Sequence, residues 1–530
     1  MSSLNILSLL DNKHINAFFD NPSRAQSGII AGSVAIVSLC AAYSLGSRLR
    51  GSNNGVPLVP YTFPIIGSTK EYQADPQAFI EKWTAKLGPV FRVHLFGRIH
   101  TVVSDRYVRE VFLNNDFDFL KGTGKRFDTL LLTDTTLEDV DIEVFRTVVM
   151  KHLTKEMKHY TPRVVEHLTA GGDEKLGDAT EPKELVHLFP LLQHMVAKAS
   201  ASIFVGTELA ADDAVVETCK NIAIDIGSEL GPSSYIMDAF PSLARLRMWY
   251  IGKYGKAINK HRQHLLHALG PVIDKRLAAA EKGGDWDRPQ DILQDIIETI
   301  NLTLDNPKRH ILPVKWLLAL FFASIHTTSE NSTIVLYRIM QNPEIIDVLL
   351  EEQNEILEKH YGTNIDYSDT TKLFTGEVIK EMVKLDSVCR EAMRSRNSYL
   401  ELPHTYVGKS RITLSCGAVI EPGHDVLINM WGNHRDAKIQ RDTIGDHHDF
   451  KPFRFVGLDR QSTKIGDDFL MFGQGRHACP GRWFAIQEIK TIVSVLIRYY
   501  KLTPKGPITF PTHPRMPMPT GEVIIQRRQE

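Results

Sequence analysis

Cysteine is scarce in this chain. There are five in 530 residues, Cys40, Cys219, Cys389, Cys416 and Cys479, odd in number and far apart. That spacing excludes a disulfide framework and points to reduced thiols on the cytosolic side of a membrane. No C-x-x-C pair occurs, so a structural zinc site is not indicated. A surplus of either charge is missing too, with 62 basic residues against 63 acidic ones and a formal net charge of −1. Such a balance leaves no electrostatic footprint for nucleic acid. Disorder is excluded by a hydrophobic content of 43% and a charged content of 24%. A chain this long buries a large core and has room to enclose a cofactor.

Charge is also absent from one stretch, Gly28 to Ser47 (GIIAGSVAIVSLCAAYSLGS). Twenty residues at helical rise just span a bilayer core. Arg48 and Arg50 follow the run, whereas Lys13 and Arg24 before it are balanced by Asp11 and Asp20. The positive-inside rule then places the following domain in the cytoplasm. A cleaved signal peptide is the rival reading, but the polar lead is long and the basic charge lies on the wrong side. Pro57, Pro60 and Pro64, closing on Gly67, form a stiff connector that helix cannot cross. The chain therefore divides into a polar segment 1–27, an anchor 28–47, a Pro-rich hinge 48–67 and one domain 68–530.

Within that domain, VFRVHLF and IHTVVS read as a β-hairpin between Phe91 and Val103. Helical patterns dominate from Asp105. Phe117 to Thr133 is rich in Phe and Leu but broken by Gly122 and Gly124, and reads equally as core or as pocket wall. Pro313 opens a long run free of Gly and Pro that ends before Pro343. It carries Ala323-Ser324-Ile325-His326-Thr327-Thr328. Glu391 and Arg394, at i and i+3, share a helix face, which by itself is an ordinary surface pair. Phe450-Lys451-Pro452-Phe453-Arg454-Phe455 follows about 60 residues later.

The most informative stretch is Phe472 to Gly481, FGQGRHACPG. One thiol, Cys479, sits among Gly473, Gly475 and Gly481, with Phe472 opening the turn and Arg476 and His477 filling it. Glycines let a backbone pass close to a flat ligand, and a thiolate there is a strong metal ligand. The helix after it (PGRWFAIQEIK) starts beside that thiolate, where its dipole favours negative charge.

The ordered set, F-x-x-G-x-[HR]-x-C-x-G preceded by E-x-x-R and F-x-P-x-R-F, resembles the cytochrome P-450 monooxygenases from about Pro57 to the C-terminus. The resemblance implies a mainly α (α+β) fold: a helix-rich domain with a small β-rich N-terminal part, preceded by a transmembrane helix. It implies haem b, with Cys479 as axial thiolate ligand to the iron. Phe472, Gly473, Gly475, Gly481 and Ala323 line the cofactor, and His477 or Arg476 pairs with a propionate. Glu391, Arg394 and Arg454 form a structural triad. By the same resemblance Thr327 would steady dioxygen and relay protons, with His326 as a second relay candidate or a packing residue.

Three departures stand out. Ser324 replaces a usual glycine and His326 a usual acid. The family's C-helix W-x-x-x-R is missing around Val148 to Arg163, where Lys151, His152 and Lys155 are the available substitutes. With no flavin or nicotinamide fingerprint in the chain, electrons are expected from NADPH–cytochrome P-450 reductase, with cytochrome b5 as a further donor. The implied activity is hydroxylation of a lipophilic substrate with O2 at the endoplasmic reticulum membrane, with no nucleic-acid partner. The Cys-Pro-Gly-Arg-Trp-Phe-Ala and Ile-His-Thr-Thr wording is similar to fungal steroid hydroxylases and ent-kaurene-type oxidases. The first suggests a steroid or polycyclic terpenoid substrate, the second a multi-step diterpenoid oxidase. A haem-thiolate isomerase or peroxygenase is a further enzymatic reading. His326 keeps open a different class, a haem-binding sensor or inactive membrane-bound interaction protein.

Overall fold

The computed structural model describes residues 55–63, 66–231, 237, 240–283, 286–513 and 518–528. The expected segment 1–27, the anchor 28–47 and the start of the hinge lie outside the described residues.

Two strands open the fold, β1 (Val90–Leu95) and β2 (Arg98–Val103), paired antiparallel from Val90↔Val103 to Leu95↔Arg98. They form the expected hairpin. Its two turn residues, Phe96 and Gly97, take φ of 51° and 74°, the left-handed pair a tight hairpin needs. The hinge reading is corrected at its far end. Val56 and Val59 are buried, Pro57 O accepts from Arg92 N at 2.7 Å, and Val59 N donates to Arg92 O at 2.9 Å. Proline lacks only a donor, so alternating carbonyls of the connector still pair with β1. Residues 57 and 59 of the expected hinge therefore pair with β1.

The larger sheet gains β3 (Phe117–Asp118), β5 (Leu400–Tyr406) and β6 (Asp425–Asn429), in the order β1-β2-β6-β5-β3. A second sheet joins β4 (Lys183–Leu185), β8 (Val523–Arg527) and β7 (Tyr500–Pro504). The helices of the main body are α1 (Thr69–Ala74), α2 (Phe119–Gly124), α3 (Ile142–Val148), α4 (Met157–Leu176), α5 (Phe189–Phe204), α6 (Asp213–Leu230), α7 (Pro241–Tyr254), α8 (Lys256–Lys282), α9 (Ile292–Thr299), α10 (Ile311–Gln341), α11 (Glu344–Tyr361), α12 (Val383–Arg394) and α13 (Arg482–Tyr499).

One helix organises the core. α10 packs on α5, α6, α12 and α13, and its Leu317, Leu318, Ile334, Val335 and Leu336 are fully buried. It begins two residues before Pro313, so that proline sits in the first turn, where no backbone N–H is lost. Among the described residues it alone is long and apolar enough to cross a membrane, but half of that window is buried in this core. All-round hydrophobicity here marks a central helix. α13 runs against it, with Ile492, Val493 and Leu496 fully buried. The loop carrying Cys479 leads straight into α13.

Candidate functional site

The turn around Cys479 is built by its glycines. Gly473 and Gly475 have φ of 63° and 61°. A Cβ on Gly475 would collide with the Phe112 carbonyl, so only glycine fits. Cys479 N donates to Phe472 O at 2.8 Å, and Gly473 N donates to Leu470 O at 3.0 Å. The Phe472 ring is half-buried, 6.1 Å from that of Phe469. Gly481 has an ordinary φ of −89° and lies at the start of α13. Its N–H and that of Arg482 point at the Cys479 sulfur. Burial pushes the Cys479 thiol up, while these two N–H groups and the Arg482 guanidinium oppose it. Arg482 also clamps the turn, donating to Cys479 O at 2.9 Å and Thr463 O at 3.2 Å.

Glu391, Arg394 and Arg454 are brought together and are no surface pair: all three side chains are 0% exposed. Arg394 Nε donates to Glu391 Oε2 at 2.7 Å and Nη2 to Oε1 at 2.8 Å. Arg454 Nε adds a third bond at 3.0 Å, and Lys451 N a fourth at 3.0 Å. The remaining guanidinium donors hold carbonyls of the loop before the thiol. Arg454 bonds Ile444 O at 2.8 Å and Asp446 O at 2.7 Å. Arg394 bonds His434 O at 2.5 Å and His447 O at 2.8 Å. His434 Nε2 accepts from Leu470 N at 2.9 Å, and the Leu470 carbonyl holds Gly473. A continuous series of bonds therefore links the triad to the cysteine turn.

The basic residues sort differently from expectation. Arg476 is exposed, and its Nε donates to His477 Nε2 at 3.0 Å. The His477 ring is half-buried beside Phe119 and His404, each 6.3 Å away between centroids. Burial, then the charge of Arg476, pulls its pKa down. The substitutes considered for the C-helix arginine do not reach the turn. Lys151 and Lys155 are exposed, and His152 Nδ1 lies 3.0 Å from Asp295 on α9. Arg146 on α3 does reach it, donating Nη1 to the Arg476 carbonyl. It lies just upstream of the stretch that lacked W-x-x-x-R. Asp141 marks only the start of that helix, its carboxylate capping α3 by accepting from Glu143 N at 2.9 Å and Val144 N at 3.0 Å. His404 on β5 was also unforeseen. It is fully buried, its Nε2 has no hydrogen-bond partner among the described residues, and burial lowers its pKa to about 4.

On α10, Ala323 and Thr327 are exposed although the residues around them are buried or half-buried. They share one face at i and i+4, and Thr327 Oγ1 donates back to Ala323 O at 2.9 Å. His326 turns elsewhere, its ring edge-on to Phe189 at 5.3 Å and its Nδ1 buried without a partner among the described residues. No hydrogen bond joins it to Thr327 among the described residues. Phe322 stacks on Phe127 at 5.3 Å, so one ring of the Phe-rich stretch packs against this helix.

These residues fit an iron porphyrin. Among the described residues no cluster of three or more His, Cys, Asp or Glu is placed to bind a metal ion. Cys479 offers a single soft ligand, which suits a metal that brings its other ligands with it. The glycine-lined turn would supply the cradle, and the His404 Nε2, without a partner among the described residues, and the Arg146 guanidinium would supply a polar rim.

The cytochrome P450 family model matches residues 57–526. The chain is a cytochrome P450. Cytochrome P450 monooxygenase 71 of Postia placenta is 27% identical over 461 residues, covering 84% of this chain and 86% of that one. Cytochrome P450 monooxygenase CYP512U6 of Ganoderma lucidum is 25% identical over 458 residues, covering 83% and 84%. A solved structure, retinoic acid bound cyanobacterial CYP120A1, shares the fold with a TM-score of 0.61 at 20% identity, covering 89% of this chain and all of that one. This P450 is accordingly an oxidoreductase of the monooxygenase type, with haem iron held by an axial cysteine thiolate. Such enzymes take O2, electrons from a redox partner and a lipophilic substrate.

Proposed function

We propose that this P450 hydroxylates a steroid or related polycyclic terpenoid at the endoplasmic reticulum membrane. Cys479 holds the iron, and electrons come from NADPH–cytochrome P450 reductase, with cytochrome b5 as a further donor. The observation that carries the reading is the cysteine turn, a lone thiol on a glycine cradle with two main-chain N–H groups at its sulfur. The uncharged run Gly28 to Ser47 supports the membrane location. The stacked Phe127 and Phe322 give the helix an apolar wall suited to a polycyclic substrate.

Haem, when bound, supplies dioxygen activation and insertion of one oxygen atom into a C–H bond. The chain's own groups do the rest. The N–H groups of Gly481 and Arg482 spread charge from the Cys479 sulfur and so tune its donor strength. Arg146, His477 and His404 are the groups that would hold the acidic edge of haem. Thr327 spends its proton on Ala323 O and keeps lone pairs free to accept from water or substrate. Proton delivery rests on Thr327. His326, packed on Phe189, must rotate before it joins a relay.

The test is the absorption spectrum of the reduced carbon monoxide complex. A red-shifted thiolate Soret band is expected, and Cys479→His should abolish it in haem-loaded protein. A folded, haem-loaded wild type without that band would refute the assignment.

A further inference from the structure

A second cavity, of about 740 Å³, lies at the far end of α13 from the cysteine turn. Arg482, beside the thiol, and Arg498, in this cavity, are separated by roughly 24 Å of helix. The size falls within the range of about 300–1,000 Å³ usual for small-molecule sites. Its floor is apolar, made by buried Met195 of α5 and by Val495 and Leu496 of α13.

Its walls carry three arginines, Arg498 on α13, Arg527 at the end of β8 and Arg528 just after it. The fold brings them together. Arg527 stands opposite Tyr500 in the β7–β8 ladder. Arg528 N donates to Tyr499 O at 2.8 Å and its Nε to Ile497 O at 2.9 Å, so Arg528 lies along the main chain on either side of Arg498. Arg498 is held only by neutral acceptors of α11, through Nε to Gln353 Oε1 at 2.8 Å and Nη2 to Asn354 Oδ1 at 2.6 Å. Among the described residues none of the three forms an ion pair. The acids of the cavity, Asp173 and Asp366, already accept from other donors. Asp173 takes the Tyr500 hydroxyl at 3.1 Å, and Asp366 takes Ser368 N at 2.9 Å and Oγ at 2.6 Å. The carbonyl end of α13 offsets only about half a charge. Burial lowers the Arg498 pKa, Tyr367 and Tyr499 oppose this, and the charge of Arg528 adds to it. Cations held this close, fixed in place and lacking a carboxylate, favour an added anion.

Two tyrosines complete the wall. The Tyr367 ring lies 5.0 Å from the Arg498 guanidinium. The Tyr499 hydroxyl donates to Tyr367 O at 2.7 Å and so ties the loop after α11 to α13. Guanidinium forks match phosphate oxygens in pairs, and an aromatic face takes a flat ring. We propose that this cavity binds a nucleoside phosphate, with its phosphates on Arg527 and Arg528 and its base against Tyr367. The site is separate from the haem pocket and independent of the substrate proposed above.

The experiment is calorimetric titration of the haem-loaded protein, at fixed ionic strength, with ADP, adenosine and pyrophosphate. ADP should bind about tenfold or more tightly than either fragment, because it alone meets both halves of the site. Arg527→Gln combined with Arg528→Gln should bring ADP down to the affinity of adenosine. Tyr367→Leu should bring it down to that of pyrophosphate. Arg527 and Arg528 are exposed and far from the thiol, so the double variant should keep the reduced carbon monoxide spectrum of wild type. No heat from millimolar ADP, pyrophosphate binding as tightly as ADP, or an ADP affinity unchanged in the double variant would overturn the proposal.

Discussion

The main-chain N–H of Cys479 donates to the carbonyl of Phe472 at 2.8 Å, so the thiol is aimed by the turn that the phenylalanine opens. That turn closes only because Gly473 and Gly475 occupy the left-handed region. At Gly475 conformation and space coincide, since a Cβ would strike the Phe112 carbonyl, which is backbone and cannot swing away. Gly475→Ala should therefore cost on the order of 2 kcal/mol or more and displace the sulfur. The expected outcome is a lowered Tm with haem content reduced several-fold. Full haem loading at an unchanged Tm would show that the turn tolerates a side chain. Gly481→Ala is the control. There φ is −89° and the nearest atom to a new Cβ is 3.9 Å away, so stability should change little.

Removing one arginine of the triad should be far worse than its surface appearance in sequence suggests. Glu391 is fully buried and takes two bonds from Arg394 and one from Arg454. Arg454→Leu frees one lone-pair site on that carboxylate and strips donors from Ile444 O, Asp446 O and Asp449 O. Breaking a buried charge cluster of this kind costs about 3–5 kcal/mol. Urea titration of soluble Arg454→Leu should show a midpoint shift of that order, and Arg454→Lys should recover only part. Lysine has no planar fork to hold a carboxylate and three carbonyls at once. A shift within about 0.5 kcal/mol would mean the cluster is not a brace.

Much of this site was legible because chemistry there is confined to fixed positions along the chain. Cys479 lies on the glycine turn, Glu391, Arg394 and Arg454 meet in one buried cluster, and Thr327 lies on α10. The β1–β2 hairpin was equally plain from alternation. What escaped was set by tertiary contact. Arg146 sits on an unremarkable helix, and only the approach of α3 to the Arg476 carbonyl gives it a role. His404 is one histidine among 21 in the sequence, and only its burial without a partner singles it out. The reverse case is His326, which motif order places at the chemistry but whose ring packs on Phe189. A helix face is set by period, but which neighbour meets it is decided by the fold.

Glu488, on α13, provides a pH dependence with a definite sign. Burial lifts its carboxyl to about 8, and a single bond from Ser200 at 3.4 Å only partly opposes this. Below the ordinary glutamate range both folded and unfolded chains are protonated, so the group contributes nothing to pH dependence. Between about pH 4.5 and 8 the unfolded chain ionises while the folded one stays neutral. Stability should therefore fall as pH rises through that window, by at most on the order of 4 kcal/mol, and then level off. Glu488→Gln is expected to flatten this slope, since glutamine keeps the shape and cannot ionise. Melting temperatures from pH 5 to 8 for the two proteins decide it, and parallel curves would place the titration elsewhere.

The last prediction concerns Thr327, whose hydroxyl is tied to Ala323 O at 2.9 Å and yet stays exposed on the inner face of α10. A hydroxyl in that arrangement accepts a hydrogen bond from an incoming donor without leaving its own acceptor. Thr327→Val has nearly the same shape and cannot do so, whereas Thr327→Ser restores the oxygen without the methyl. If the hydroxyl governs proton delivery, the valine variant should still bind substrate and consume NADPH with added reductase. Its yield of product per NADPH should drop several-fold, with hydrogen peroxide released in place of product. The serine variant should regain most of the coupling. A purely structural role predicts something else: loss of substrate binding or of Tm in both variants in proportion to the altered packing, with the yield per NADPH unmoved. Measuring NADPH consumed, peroxide formed and product formed in one reaction separates the two, because only a proton role changes their ratio.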